Sequence, residues 1–182
     1  MVSAFIIRRC EMDKYVQLAV NTIKEYVCTG KVYEPSDDEL NEELQWHKAG
    51  AFVSIHKNGE LRGCIGTIAP TEPSIAEEII SNAIAASTRD PRFPAIRPEE
   101  LADLEVNVDV LDEPEPIDSP SELDVKKYGV IVEKGFKRGL LLPNLDGVDT
   151  IDYQIAIAKQ KAGIDISDDD VRLLRFEVVR HV

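Results

Sequence analysis

The segment Leu104-Glu-Val-Asn-Val-Asp-Val110 alternates strictly, with Leu104, Val106, Val108 and Val110 on one face and Glu105, Asn107 and Asp109 on the other. A period of two predicts a half-buried strand whose polar face meets solvent or a site. Two further apolar-rich segments, within 50–57 and 60–66, are joined by Asn58-Gly59, the dipeptide suited to a two-residue hairpin turn. If Lys57 pairs with Glu60, Ile55 faces Arg62 and Val53 faces Cys64, while His56 faces Leu61 and Ser54 faces Gly63. This register sets Arg62 and Cys64 on one face and His56 on the other, which disfavours a Cys–His dyad. One bulge at a glycine would reverse that conclusion.

Helical spacing appears twice in the first half. Apolar positions 12, 15, 16, 19, 20, 23, 26 and 27 predict an amphipathic helix from Met12 to Val27. Ser74 and Glu77 have capping-box spacing ahead of the stripe Ile75, Ile79, Ala83 and Ala86, predicting a helix to about Thr88. The acidic stretch 34–43 reads as a connection or short helix. Arg89-Asp-Pro-Arg-Phe-Pro94 reads as a structured loop, and the return of the preceding helix across the sheet should bring residues 89–93 close to the Arg62–Cys64 strand. Pro98 to Leu101 looks like one helical turn.

In the second half, residues 112–122 hold three prolines and five acidic residues and read as a non-regular connection to a smaller subdomain. Val130–Val132 and Leu140–Leu142 suggest a second hairpin ended by Pro143. A helix from Thr150 to Ala162 fits a Gly163 C-cap, and residues 171–179 read as a terminal strand. Hairpins with interspersed helices, instead of regular strand–helix alternation, predict an α+β fold: a mainly antiparallel sheet with flanking helices, a larger body and a smaller subdomain. The whole, 1–182, reads as one domain in which the limits of the subdomain are not fixed.

Composition narrows the function classes. With 34 acidic against 21 basic residues, the net charge of −13 disfavours non-specific nucleic-acid binding. No apolar run is long enough to span a bilayer, and the start lacks the basic region of a signal peptide, so a cytoplasmic protein is expected. Cysteines at 10, 28 and 64 form no close ligand pair, His47, His56 and His181 have no metal-like spacing, and no metal site is assigned. Free thiols are expected.

The chemistry concentrates in Leu61-Arg-Gly-Cys-Ile-Gly66. Glycines at 63 and 66 strip steric cover from Cys64, and Arg62 is a cation able to favour a thiolate, the setting a reactive cysteine needs. The alternative is a small residue packed in a tight strand. Arg62, Arg89 and Arg92 suit planar anions, with Asp90 between the latter two; the structural alternative is that these charges satisfy one another. Gly63, Gly66, Arg89, Asp90 and Arg92 therefore stand as ligand-binding candidates, and Cys64 and Arg62 as catalytic ones. A phosphate loop is excluded by the missing lysine, glycine spacing and following helix.

Leu61–Gly66, Asp90-Pro-Arg-Phe93 and Gly139-Leu-Leu-Leu-Pro143 occur in the same order as in the AMMECR domain family, which the chain resembles over nearly its whole length. Bacterial and archaeal members are called AmmeMemoRadiSam system protein A. The resemblance implies an α+β fold with a larger sheet-containing body and a smaller subdomain, and a gene-neighbourhood link to a Memo-like and a radical SAM protein as partners. It supplies no reaction, and the cofactors stay unknown. Many archaeal and eukaryotic relatives carry a tryptophan shortly after the leucine-proline segment; residues 144–148 here have none, so no role for that aromatic transfers. Two functions follow. One is an enzyme in which Cys64 acts on a small anionic substrate; the other is a non-catalytic module that recognises an anionic ligand or partner protein.

Overall fold

The computed structural model describes residues 12–182; the short apolar start and Cys10 lie outside the described residues. Helix α1 spans Lys14–Thr29 and begins two residues later than its apolar pattern, because the Asp13 side chain accepts from the Tyr15 amide and caps it. A short α2, Glu42–Trp46, follows, capped by Asn41. Strands β1 (Ala51–Lys57) and β2 (Glu60–Gly66) form the predicted hairpin. Its turn has Asn58 at φ 53° and Gly59 at φ 79°, both left-handed, as a two-residue turn that follows strand twist demands.

The expected hairpin register holds only beside that turn. Lys57 faces Glu60 and His56 faces Leu61, but the next pair is Ile55 with Gly63, then Ser54 with Cys64 and Val53 with Ile65. Arg62 is the extra residue of a β-bulge. The bulge moves Cys64 onto the face of Ser54 and His56, opposite to the sequence expectation. Arg62 instead joins Lys57: its Nε and Nη2 donate to Glu100 at 3.1 and 3.0 Å, and Lys57 Nζ reaches the same carboxylate at 3.2 Å. Further Arg62 bonds go to the Pro94 and Ala95 carbonyls. The correction has a physical cause, since Arg62 is drawn to a buried carboxylate from a distant turn that strand alternation does not encode.

Helix α3, Ile75–Thr88, is capped by Ser74 and buries the predicted stripe against β1 and β2. A 3-10 turn at Pro98–Asp103 leads into β3, Leu104–Leu111. The supposed non-regular connection holds a strand, β4 (Glu115–Ile117), and a 3-10 turn at Pro120–Glu122. Then come β5 (Gly129–Lys134), β6 (Lys137–Leu141), α4 (Ile151–Ala162), β7 (Arg172–Phe176) and β8 (Val178–His181). Gly163 caps α4 at φ 65°, as predicted. The terminal strand divides at Glu177, and its halves join different sheets.

Among the described residues two antiparallel four-stranded sheets result, ordered β2-β1-β3-β8 and β4-β7-β5-β6. The fold is α+β. Alternation assigns every face. In the first sheet Ala51, Val53, Ile55, Val108 and Val110 point toward α1 and α3 and form one core. In the second, Val130, Val132 and Leu141 meet α4, while Ile131, Leu140, Leu174 and Phe176 turn the other way, onto Leu111, Phe52 and Val178 of the first sheet. The layers run helices, sheet, sheet, helix. Ser54, His56, Cys64 and Asn107 share the face of the first sheet turned away from α1 and α3, where Ser54 is buried and the other three are partly exposed.

Close backbone approach fixes β2 against α3. A Cβ on Gly63 would lie 2.2 Å from the Ala86 carbonyl oxygen, inside backbone that cannot yield locally. Gly63→Ala should destabilise the protein by about 3 kcal/mol, the upper end of ordinary overpacking. Urea unfolding checks this, and an unchanged midpoint would contradict the contact.

Glu100 supplies a second test. Arg62, the Arg97 amide and Lys57 lower its pKa from 4.5 to about 2, with burial opposing. A carboxylate depressed on folding stabilises fully above its unfolded value and loses that contribution as pH falls through the folded one. Stability should therefore decline from near pH 5 down to pH 2, and Glu100→Gln should flatten that limb in chemical denaturation across pH, at lower stability near neutrality.

Candidate functional site

Among the described residues β2 is an edge strand, so the backbone groups of Cys64 that face away from β1 need other partners. The loop after α3 provides them. Arg89 ends the helix, Pro91 prevents its continuation, and the Phe93 amide closes a turn on the Asp90 carbonyl at 3.2 Å. Asp90 is thereby aimed at the strand: its Oδ2 accepts the Cys64 amide at 2.9 Å. Arg92 Nη2 donates to the Cys64 carbonyl at 3.1 Å and to Asp90 at 2.7 Å, while Nε holds the other Asp90 oxygen at 3.0 Å. The loop thus acts as a one-residue substitute strand.

Asp90 is 4% exposed. Arg92 holds its carboxyl well below the usual range, against the effect of burial and with help from the Cys64 and Arg92 amides. Arg92 is in turn held charged, first by Asp90, against burial, and further by the nearby Cys64 thiol. Cys64 is partly exposed, and Ser54 Oγ lies 3.2 Å from its sulfur. Asn107 stands opposite Ser54 on β3 and His56 one row away. No hydrogen bond joins His56 to Cys64 among the described residues.

A second carboxylate–arginine pair borders the same face. Asp109, 1% exposed, receives Arg180 Nε at 2.7 Å and Nη2 at 2.9 Å from the adjacent strand β8. The alternation placed Asp109 on the polar face, toward solvent or a site; in the structure it is buried and paired with Arg180. Asp109 raises the Arg180 pKa, burial opposes, and Cys64 contributes in the same direction as Asp109. The third cation is Lys161, near the end of α4. It keeps solvent-accessible area, yet surrounding protein desolvates its ammonium and lowers its pKa; Cys64 opposes that shift and Arg92 adds to it.

Of the residues singled out in the sequence, Cys64, Asp90 and Arg92 come together. Gly63 seats β2 on α3, and Gly66 leaves room for the Phe52 ring and the Ala51 carbonyl. Arg62 lies across the sheet with Glu100. Arg89 is exposed and lines a different cavity of about 480 Å³ with Tyr33, Pro35 and Ile80. A larger cleft of about 990 Å³ is lined by the second lobe alone, including Lys134, Lys159 and Arg172. Sequence reasoning missed Ser54, Arg180 and Lys161. Ser54 was hidden by the one-residue bulge, and the two cations come from elements distant in the chain, without a local signal. Among the described residues no group of three His, Cys, Asp or Glu is placed to hold a metal ion. Among them, too, no helix is long and apolar enough to cross a membrane.

Taken together, the site is a partly exposed thiol with a hydroxyl neighbour, bordered by two arginines, Arg92 and Arg180, each paired with a buried carboxylate. It sets a nucleophilic sulfur on a face that also carries cations.

A protein of Thermotoga maritima is 58% identical over 168 residues, covering 92% of this chain and 96% of its own. Protein CA_C1420 of Clostridium acetobutylicum is 51% identical over 96% of this chain, which spans only 37% of that longer protein. The crystal structure of PH0010 from Pyrococcus horikoshii, described as an uncharacterized protein, superposes with a TM-score of 0.83 at 36% identity, covering 91% of this chain and 88% of that one. Residues 16–181 match the AMMECR1 family, and the chain belongs to it.

Proposed function

We propose that this protein is an enzyme that uses Cys64 on a small anionic substrate. The observation that carries the reading is the placement of Arg92 beside a partly exposed thiol, with its Nη2 donating to the Cys64 carbonyl at 3.1 Å, in a chain of net charge −13. Cations beside a thiol favour the thiolate, which is the nucleophilic form. In the proposed step the thiol gives its proton to solvent while sulfur bonds an electrophilic carbonyl carbon and the π pair moves onto oxygen. Arg92 stabilises that oxygen. Arg62, the arginine the sequence offered for this role, is occupied by Glu100 and two backbone carbonyls.

Asp90 acts in this reading as a positioning residue, holding Cys64 by its backbone and Arg92 by its side chain. A Memo-like and a radical SAM protein are the partners that the family resemblance supports, as suppliers or users of the substrate. The second reading, a binding module, is favoured by one observation: the Ser54–Cys64 contact at 3.2 Å is also what a packed, inert cysteine would make.

Alkylation separates the two. With limiting iodoacetamide at neutral pH, Cys64 of the folded protein should react faster than the exposed Cys28, read by peptide mass spectrometry. Lys161→Met should slow Cys64 about threefold or more and leave Cys28 unchanged. A Cys64 that reacts only on global unfolding would establish the binding module instead.

A further inference from the structure

Gly139–Pro143 is the sequence segment to which the cysteine chemistry assigns nothing. Its end, Leu142-Pro143, and the following Asn144 border a cavity of about 160 Å³ together with Lys126, Lys127 and Arg180. No carboxylate lines it. We infer that this cavity seats the phosphate of a small phosphorylated metabolite. The phosphate seat stands independently of the enzyme reading above.

The cavity is built from stiff parts. The Lys127 and Tyr128 amides both donate to the Asp124 carbonyl, at 3.0 and 2.7 Å, and the Lys126 amide donates to the Asp124 side chain at 2.9 Å. The Asn144 amide then donates to the Val125 carbonyl at 2.7 Å, tying the leucine-proline segment to the lysine turn. Both lysines are thus presented from a turn with fixed backbone. Arg180 is fixed independently, because Nε and Nη2 hold the buried Asp109, and Nη1 has no hydrogen bond among the described residues. An arginine with one edge locked on a carboxylate and one edge open is preorganised for an oxyanion.

Phosphate fits better than a single carboxylate, since three cations border the space and a phosphate monoester is dianionic at neutral pH. The existing partners of the lysines are weak competitors. Lys126 approaches Asp149 at 3.7 Å and Lys127 approaches Glu177 at 3.3 Å, both exposed pairs, which contribute little in water. The volume admits a tetrahedral oxyanion and excludes a nucleoside, so the remainder of the ligand must extend outward.

The test is titration of the ¹⁵N-labelled full chain with inorganic phosphate, against chloride at equal ionic strength. Amides of residues 126–127, 144 and 178–180 should shift saturably with phosphate alone. Lys127→Met, at an exposed position, should weaken the affinity tenfold or more, as should Arg180→Met, while Cys64→Ser should bind as the unaltered protein does. Equal shifts with chloride, or undiminished binding by Lys127→Met, would overturn the seat. Phosphate binding combined with an inert Cys64 would keep the seat and dismiss the cysteine chemistry.

Discussion

The bond from the Cys64 amide to the buried Asp90 carboxylate is the constraint on which the candidate site depends. An edge strand ordinarily leaves half of its backbone groups to water, where they are mobile and open to pairing with other chains. Here one carboxylate and one guanidinium close the edge at a single residue. Burying a charge is costly unless it is paired and hydrogen-bonded, and Asp90 meets both conditions through four bonds from Cys64 and Arg92. The same two groups therefore settle the strand edge, the placement of the thiol and the presence of a cation beside it.

The opposite face of β2 obeys a parallel logic. Glu100 gathers Lys57, Arg62 and the Arg97 amide, and this stabilises the bulge that shifts the hairpin register. Without the extra residue at Arg62, Cys64 would point toward α3, into the core of the first lobe. Glu78 does similar service beyond the strand, 1% exposed and bonded by Thr67, Thr71 and Glu72. Burial raises its pKa, and those bonds more than offset the effect. Three buried acids thus organise the cysteine strand, its bulge and its exit, in a chain whose excess of acidic residues would otherwise read only as surface charge.

What was legible in the sequence follows from how local each signal is. Asn58-Gly59, the Ser74 cap, the stripe from Ile75 to Ala86 and the Gly163 cap depend on neighbours within a few residues, and their elements formed as read. The approach of Asp90 and Arg92 to Cys64 was also legible, because α3 is long enough only to return along the sheet it packs on. Arg62 was misjudged for the reason that makes bulges hard to foresee: one unpaired residue inverts every later position, and its cause, Glu100, lies far along the chain. Asp109 shows the limit of alternation, which identifies a face but not what covers it. Arg180 arrives from β8, the last strand, which pairs beside β3, and Lys161 belongs to the second lobe, which docks where Phe52, Leu111 and Val178 meet Ile131, Leu140 and Phe176; neither pairing has a local signal.

Amide hydrogen exchange at Cys64 tests the central claim most directly. If Asp90 closes the strand edge, the Cys64 amide should exchange as slowly as the inward-facing amides of β2, and Asp90→Ala should accelerate it selectively while the Gly63 and Ile65 amides, which face β1, stay protected. Exchange at the rate of an open strand edge in the unaltered protein would contradict the account.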